Sequence, residues 1–91
     1  MSLYRKPRLE SLIQELISKQ IEKTIEMNNV LVTVMSVDVD EGHDKTIVNI
    51  SVFPDDKKKD VLIKLSSQAS ALAWFLLKKI RIKKIPELIF K

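Results

Sequence analysis

Apolar positions along this chain change their period repeatedly, and each change marks an element. Leu9, Leu12, Ile13, Leu16, Ile17, Ile21 and Ile25 recur at three- and four-residue spacing, which predicts an amphipathic helix of about five turns. Pro7 suits its first turn, and Asn28-Asn29 are placed to stop it, because asparagine tolerates the left-handed conformation. Glu10, Gln14, Glu15, Lys19, Glu22 and Lys23 form the expected solvated face. Val30 to Asp40 is β-branched and ends in alternation, which predicts a strand with Met35, Val37 and Val39 on one side and Ser36, Asp38 and Asp40 on the other. Glu41-Gly42-His43-Asp44 makes the turn, with Gly42 expected at positive φ. Lys45 to Phe53 returns as a second strand, with Thr46, Val48, Ile50 and Val52 opposing Ile47, Asn49 and Ser51.

Helical spacing then resumes. Val61, Leu65, Leu72, Leu76 and Ile80, with Leu62 and Ala69 beside them, predict a second helix running to about Lys79 and capped by Asp55, Asp56 or Asp60. A third strand is expected over roughly Arg81 to Phe90, with Pro86 confining it to an edge or an irregular start. The order helix, strand, strand, helix, strand predicts one α+β domain spanning residues 1–91, a three-stranded sheet covered by two helices. Trp74 has two placements. A kink near Ser66 to Ser70 would re-phase the helix and carry it into the core, the placement we favour; otherwise it stands exposed beside cations.

Composition narrows the function classes. The 91 residues hold 45% apolar and 31% charged side chains with a single glycine, as expected of a small folded domain. Cysteine is absent, which removes disulfides and thiolate metal sites. No apolar run reaches the roughly 18 residues of a membrane span, and MSLYRKPRLE lacks the apolar core of a secretory signal, so a cytoplasmic location is expected. The net charge of +4 is modest, but the cations are unevenly placed and suggest an anionic partner.

Catalytic chemistry finds no support. His43 is the sole histidine, in an acidic turn, and Asp38, Asp40, Glu41 and Asp44 lack the spacing of a calcium loop. One glycine cannot build a phosphate-cradling loop. The basic segments are the better candidates, since lysine and arginine at phosphates give affinity without sequence choice. Arg5, Lys6 and Arg8 enter the first helix, while Lys78, Lys79, Arg81, Lys83 and Lys84 close the second. Ser70 and Trp74 are possible further contacts, Trp74 by stacking on a base. Lys57-Lys58-Lys59 reads as a solvated loop.

The ending Ile80-Arg81-Ile82-Lys83-Lys84-Ile85-Pro86-Glu87-Leu88-Ile89-Phe90 resembles the ribosome-binding factor A family, whose members read leucine-arginine-leucine-arginine, two residues, then proline-glutamate-leucine and a phenylalanine. Arg5-Lys6-Pro7-Arg8-Leu9 with Ile13-Gln14-Glu15-Leu16 is similar to that family's first helix, and Ser36-Val37-Asp38-Val39 leading into Lys45 to Phe53 to its hairpin. The chain departs where the family has alanine, any residue, glycine at a helix kink, since Gln68, Ala69 and Ser70 stand there. Ala73 replaces a family arginine and Leu77 a glycine. The resemblance implies a KH-like domain of the second topological type, without the glycine loop of KH modules. It further implies a non-catalytic, cofactor-free assembly factor that binds the small ribosomal subunit and its RNA during late maturation and RNA processing. Arg81 and Lys83 match basic positions of the family motif, and Arg5 and Arg8 its basic entry. The expected partners are thus the small subunit and its rRNA, with no membrane or small-molecule substrate, and the chain is read as a monomer. The alternative is a protein-interaction or dimerisation module using an apolar Trp74/Leu77 face.

Overall fold

The computed structural model describes residues 5–40, 42, 44–82 and 86–91. The first apolar stripe forms helix α1, Lys6–Thr24, with Pro7 in its first turn and Leu9, Ile13, Ile17 and Ile21 buried along one line. It stops four residues before Asn28, because Ile25 turns extended while its N–H still closes the last turn on the Ile21 carbonyl at 2.8 Å. Asn29 nevertheless takes the left-handed conformation, at φ 61°, in the connection to the sheet. Glu10 and Gln14, expected in solvent, are half-buried against the sheet instead.

Strands β1, Leu31–Val39, and β2, Lys45–Phe53, pair antiparallel in a hairpin. The register shifts between Val34 and Ser36, so a bulge at Met35 adds one residue to β1. That extra residue corrects the expected alternation: Val34, Val37 and Val39 are buried, and Met35 is 61% exposed. β2 alternates as expected, with Thr46, Val48, Ile50 and Val52 inward. Among the described residues no glycine has a positive φ, while the Glu41 and His43 neighbours of Gly42 lie outside them.

After β2, residues Asp55–Lys57 make a 3-10 turn, and no aspartate side chain caps the helix that follows. The second helical stripe is two helices, α2, Lys58–Ser67, and α3, Ala69–Lys79, which meet at 60°. Gln68 makes the break with φ −100° and ψ 1°, outside helical values, although its N–H still bonds the Leu65 carbonyl at 3.0 Å. Neither α2 nor α3, nor α1, is long and apolar enough alone to cross a membrane.

Of the third strand expected over Arg81 to Phe90, residues 83–85 lie outside the described residues, and the strand itself occupies the last four residues. β3 is Glu87–Phe90, which lies parallel to β2 at the sheet edge, giving the order β1-β2-β3. Arg81 and Ile82 are irregular, and Pro86 directly precedes the strand, where its missing N–H costs no ladder bond. All helices share one face of the sheet. Their buried residues, among them Ile17, Val61, Leu65 and Leu76, join Val48, Ile50 and Val52 in one apolar cluster.

Candidate nucleic-acid interface

Two hydrogen bonds orient α1 on the sheet. The Val39 N–H donates to Glu10 Oε2 at 2.8 Å, and Gln14 Nε2 donates to the Val34 carbonyl at 3.3 Å. The helix therefore runs antiparallel to β1, and its first turn, with Arg5, Lys6 and Arg8 exposed, sits at the hairpin end of the sheet. β3 also begins at that end, because Glu87 pairs with Lys45 and its N–H reaches the Asp44 carbonyl at 2.9 Å.

The bend at Gln68 brings the start of α3 to the same place. Ala69, Ser70, Ala73 and Trp74 from α3 line a cleft of about 260 Å³ together with Pro86 and the first β3 residues, Glu87 and Leu88. Trp74 is 53% exposed, which corrects the favoured core placement. The predicted kink is present, but the turns after it bury Leu72, Ala73 and Leu76. At about 100° per residue, position 74 then lies off that stripe and the small Ala73 takes the inward position.

Ser70, Trp74 and Lys78 follow one another at four-residue steps and are all exposed, so they form one row along α3. Lys79 stands beside this row with its Nζ 5.8 Å from the centre of the Phe75 ring, within cation–π range. Arg81 follows, exposed, just after the helix. Lys83 and Lys84 lie outside the described residues. The structure thus gathers Ser70, Trp74, Lys78, Lys79 and Arg81 along α3 and its exit. Arg5, Lys6 and Arg8 occupy the same end of the sheet but on the α1 side, over β1. Lys57, Lys58 and Lys59 follow the opposite end of β2 and belong to neither group.

Two contributions escaped the sequence reading. Glu87 lines the cleft from the start of β3, while its register with exposed Lys45, one position before buried Leu88, turns its side chain to the sheet face away from the helices. Its signal was the proline-glutamate-leucine motif, which carried the family likeness but no role. Asp40 also shapes this end, its Oδ1 accepting the N–H groups of Asp44 at 2.7 Å and Lys45 at 3.1 Å. No group of three or more metal-ligating side chains occurs among the described residues.

These features define a KH-like α+β domain with an aromatic- and lysine-bearing helix beside an edge strand. The family model of ribosome-binding factor A matches residues 5–91, and the chain belongs to that family. The fold is similar to the crystal structure of ribosome-binding factor A from Thermus thermophilus, with a TM-score of 0.84 and 24% identity over 97% of this chain and 96% of that one. It is also similar to a Thermus thermophilus ribosome binding factor A homology model fitted into the cryo-EM map of a 30S complex (TM-score 0.79, 23% identity, 91% and 89% covered). A candidate ribosome binding factor A of Thermotoga maritima, solved by NMR, gives a TM-score of 0.80 at 25% identity, covering 97% of this chain and 86% of that one. No curated protein matches the chain significantly.

Proposed function

We propose that this protein is a non-catalytic assembly factor that binds the small ribosomal subunit through its ribosomal RNA during late maturation and RNA processing, in the cytoplasm. The observation that carries the reading is the exposed row Ser70, Trp74, Lys78 with Lys79 and Arg81 beside it, on a chain of the ribosome-binding factor A family. Cations at this spacing suit consecutive phosphates, and an exposed indole among them suits an unstacked base. The Thermus homologue fitted into a 30S complex supports the small subunit as the partner. Arg5, Lys6 and Arg8 extend the basic surface around the hairpin end, and Lys83 and Lys84 contribute through their sequence position. The protein acts as a monomer and without a cofactor.

Co-sedimentation with purified small and large subunits across a salt series tests this reading. Retention on the small subunit alone, fading as salt rises, is expected because RNA contacts release counterions. Equal retention on both subunits reduces the claim to nonspecific basic binding. Salt-insensitive capture of a protein partner or self-association favours an interaction surface at Trp74, although Leu77 is half-buried and adds little to it.

A further inference from the structure

β3 is an edge strand, paired on its β2 side only among the described residues. The Glu87 N–H donates to the Asp44 carbonyl, the Lys91 N–H to the Val48 carbonyl, and the Lys91 carbonyl accepts from the Ile50 N–H. Backbone groups alternate in direction along a strand, so residues 87, 89 and 91 face β2. Leu88 and Phe90 therefore turn their N–H and C=O groups away from the sheet. On β1, the other edge, Glu10 and Gln14 cover part of the backbone, whereas nothing bonds to these β3 groups among the described residues. Such an edge is a template for another strand.

This edge adjoins the cleft, because Leu88 lines it together with Ala69, Ala73 and Trp74. A strand laid along β3 sets alternate side chains on the helix face, where the cleft lies. At about 260 Å³ the cleft falls below the roughly 300–1,000 Å³ that encloses a drug-sized ligand, so a single side chain fills it. Lys78, one turn beyond Trp74, and Lys91, directly after β3, are exposed cations, while the Glu87 side chain is turned to the sheet face away from the helices. That balance favours an acidic occupant and opposes a second copy of this chain, which would bring the same cations to the edge.

We infer that β3 and the cleft form a docking edge for an extended, acidic segment of a partner protein, which adds a fourth strand and seats one large apolar side chain against Trp74. Donor and acceptor alternate along this edge at the two-residue repeat of a strand, which an extended peptide matches group for group. The docking edge goes beyond the RNA-binding reading and is independent of it.

The probe is a labelled heptapeptide with a central phenylalanine flanked by valines and glutamates at both ends. In the free chain the outward Leu88 and Phe90 amides should exchange faster than that of Lys91, and saturating peptide should slow both by about tenfold. Peptides N-methylated on alternate residues separate strand addition from general stickiness. Methylating the set that faces β3 removes the donors to the Leu88 and Phe90 carbonyls and should weaken binding about tenfold, while methylating the other set changes nothing. Trp74→Ala should weaken the phenylalanine peptide and leave a version with a central alanine unaffected. Equal loss from both methylated peptides, or no slowing at Leu88 and Phe90 with millimolar peptide, overturns the inference. Slowing of those amides by oligouridylate but not by peptide assigns the edge to RNA, and slowing by protein concentration alone assigns it to self-association; either overturns it. Failure to co-sediment with the small subunit removes the RNA-binding reading and leaves the docking edge standing.

Discussion

The Glu10 carboxylate accepts the backbone N–H of Val39 at 2.8 Å, tying the first helix to the far end of the outer strand. One turn later Gln14 Nε2 donates to the Val34 carbonyl beside the bulge. β1 is an edge strand, and unpaired edge groups invite pairing with other chains, so these two side chains satisfy and cover part of that edge. Glu10→Ala leaves a partly buried N–H without its charged acceptor, which should cost about 1–2 kcal/mol. The urea midpoint should fall with the m-value unchanged, and exchange at the Val39 amide should quicken. An unaltered midpoint would show that the bond contributes nothing.

Trp74 and Leu76 lie two positions apart and differ in consequence. Leu76 is fully buried, so Leu76→Ala should destabilise by about 2–5 kcal/mol. Trp74→Ala, at a half-exposed site, should stay within about 1 kcal/mol while losing RNA affinity. Leu72→Asp places a charge in the core and should unfold the domain. Paired denaturant curves decide the matter; a Trp74→Ala loss as large as that of Leu76→Ala would contradict the exposed placement.

Thr46 points into the core at 1% exposure, and its hydroxyl has no hydrogen-bond partner among the described residues. Thr46→Val keeps the branched shape favoured in a strand and removes the orphaned hydroxyl. The variant should be more stable by about 1 kcal/mol, raising Tm by about 4–8 °C for a chain of this size. A lower Tm would mean that the hydroxyl is satisfied in solution.

Periodicity carried most of the fold because each stripe packs on one sheet. Leu9, Ile13, Ile17 and Ile21 on α1, and Thr46 to Val52 on β2, are buried where their spacing placed them. Period alone fails where one residue is inserted or a helix breaks. An extra residue at Met35 leaves the composition of the strand unchanged, and only pairing with Asn49 and Ile50 reveals which residue is extra. Likewise the step from Leu65 to Leu72 fits one helix or two, so the spacing allowed the bend at Gln68 without fixing where Trp74 points. The cations of the site were visible by identity. The cleft was not, because Ser70 and Trp74 come to share it with Pro86 and Leu88 only after α3 has folded back over the start of β3.

Charge reversal separates the surface of α3 from the rest of the basic residues. Lys78 and Arg81 are exposed, so Lys78→Glu with Arg81→Glu should leave the unfolding curve in place. Each lost contact to single-stranded RNA lowers the slope of log affinity against log salt by about 0.7, so losing both should flatten it by about 1.4. Lys57→Glu with Lys58→Glu changes the net charge equally but acts at the opposite end of β2. Under the proposed surface this second variant keeps the wild-type slope, because long-range attraction is screened beyond about 8–10 Å at physiological salt. Identical slopes for both variants would mean that small-subunit affinity follows net charge rather than the α3 row, and the contact would have to be sought elsewhere.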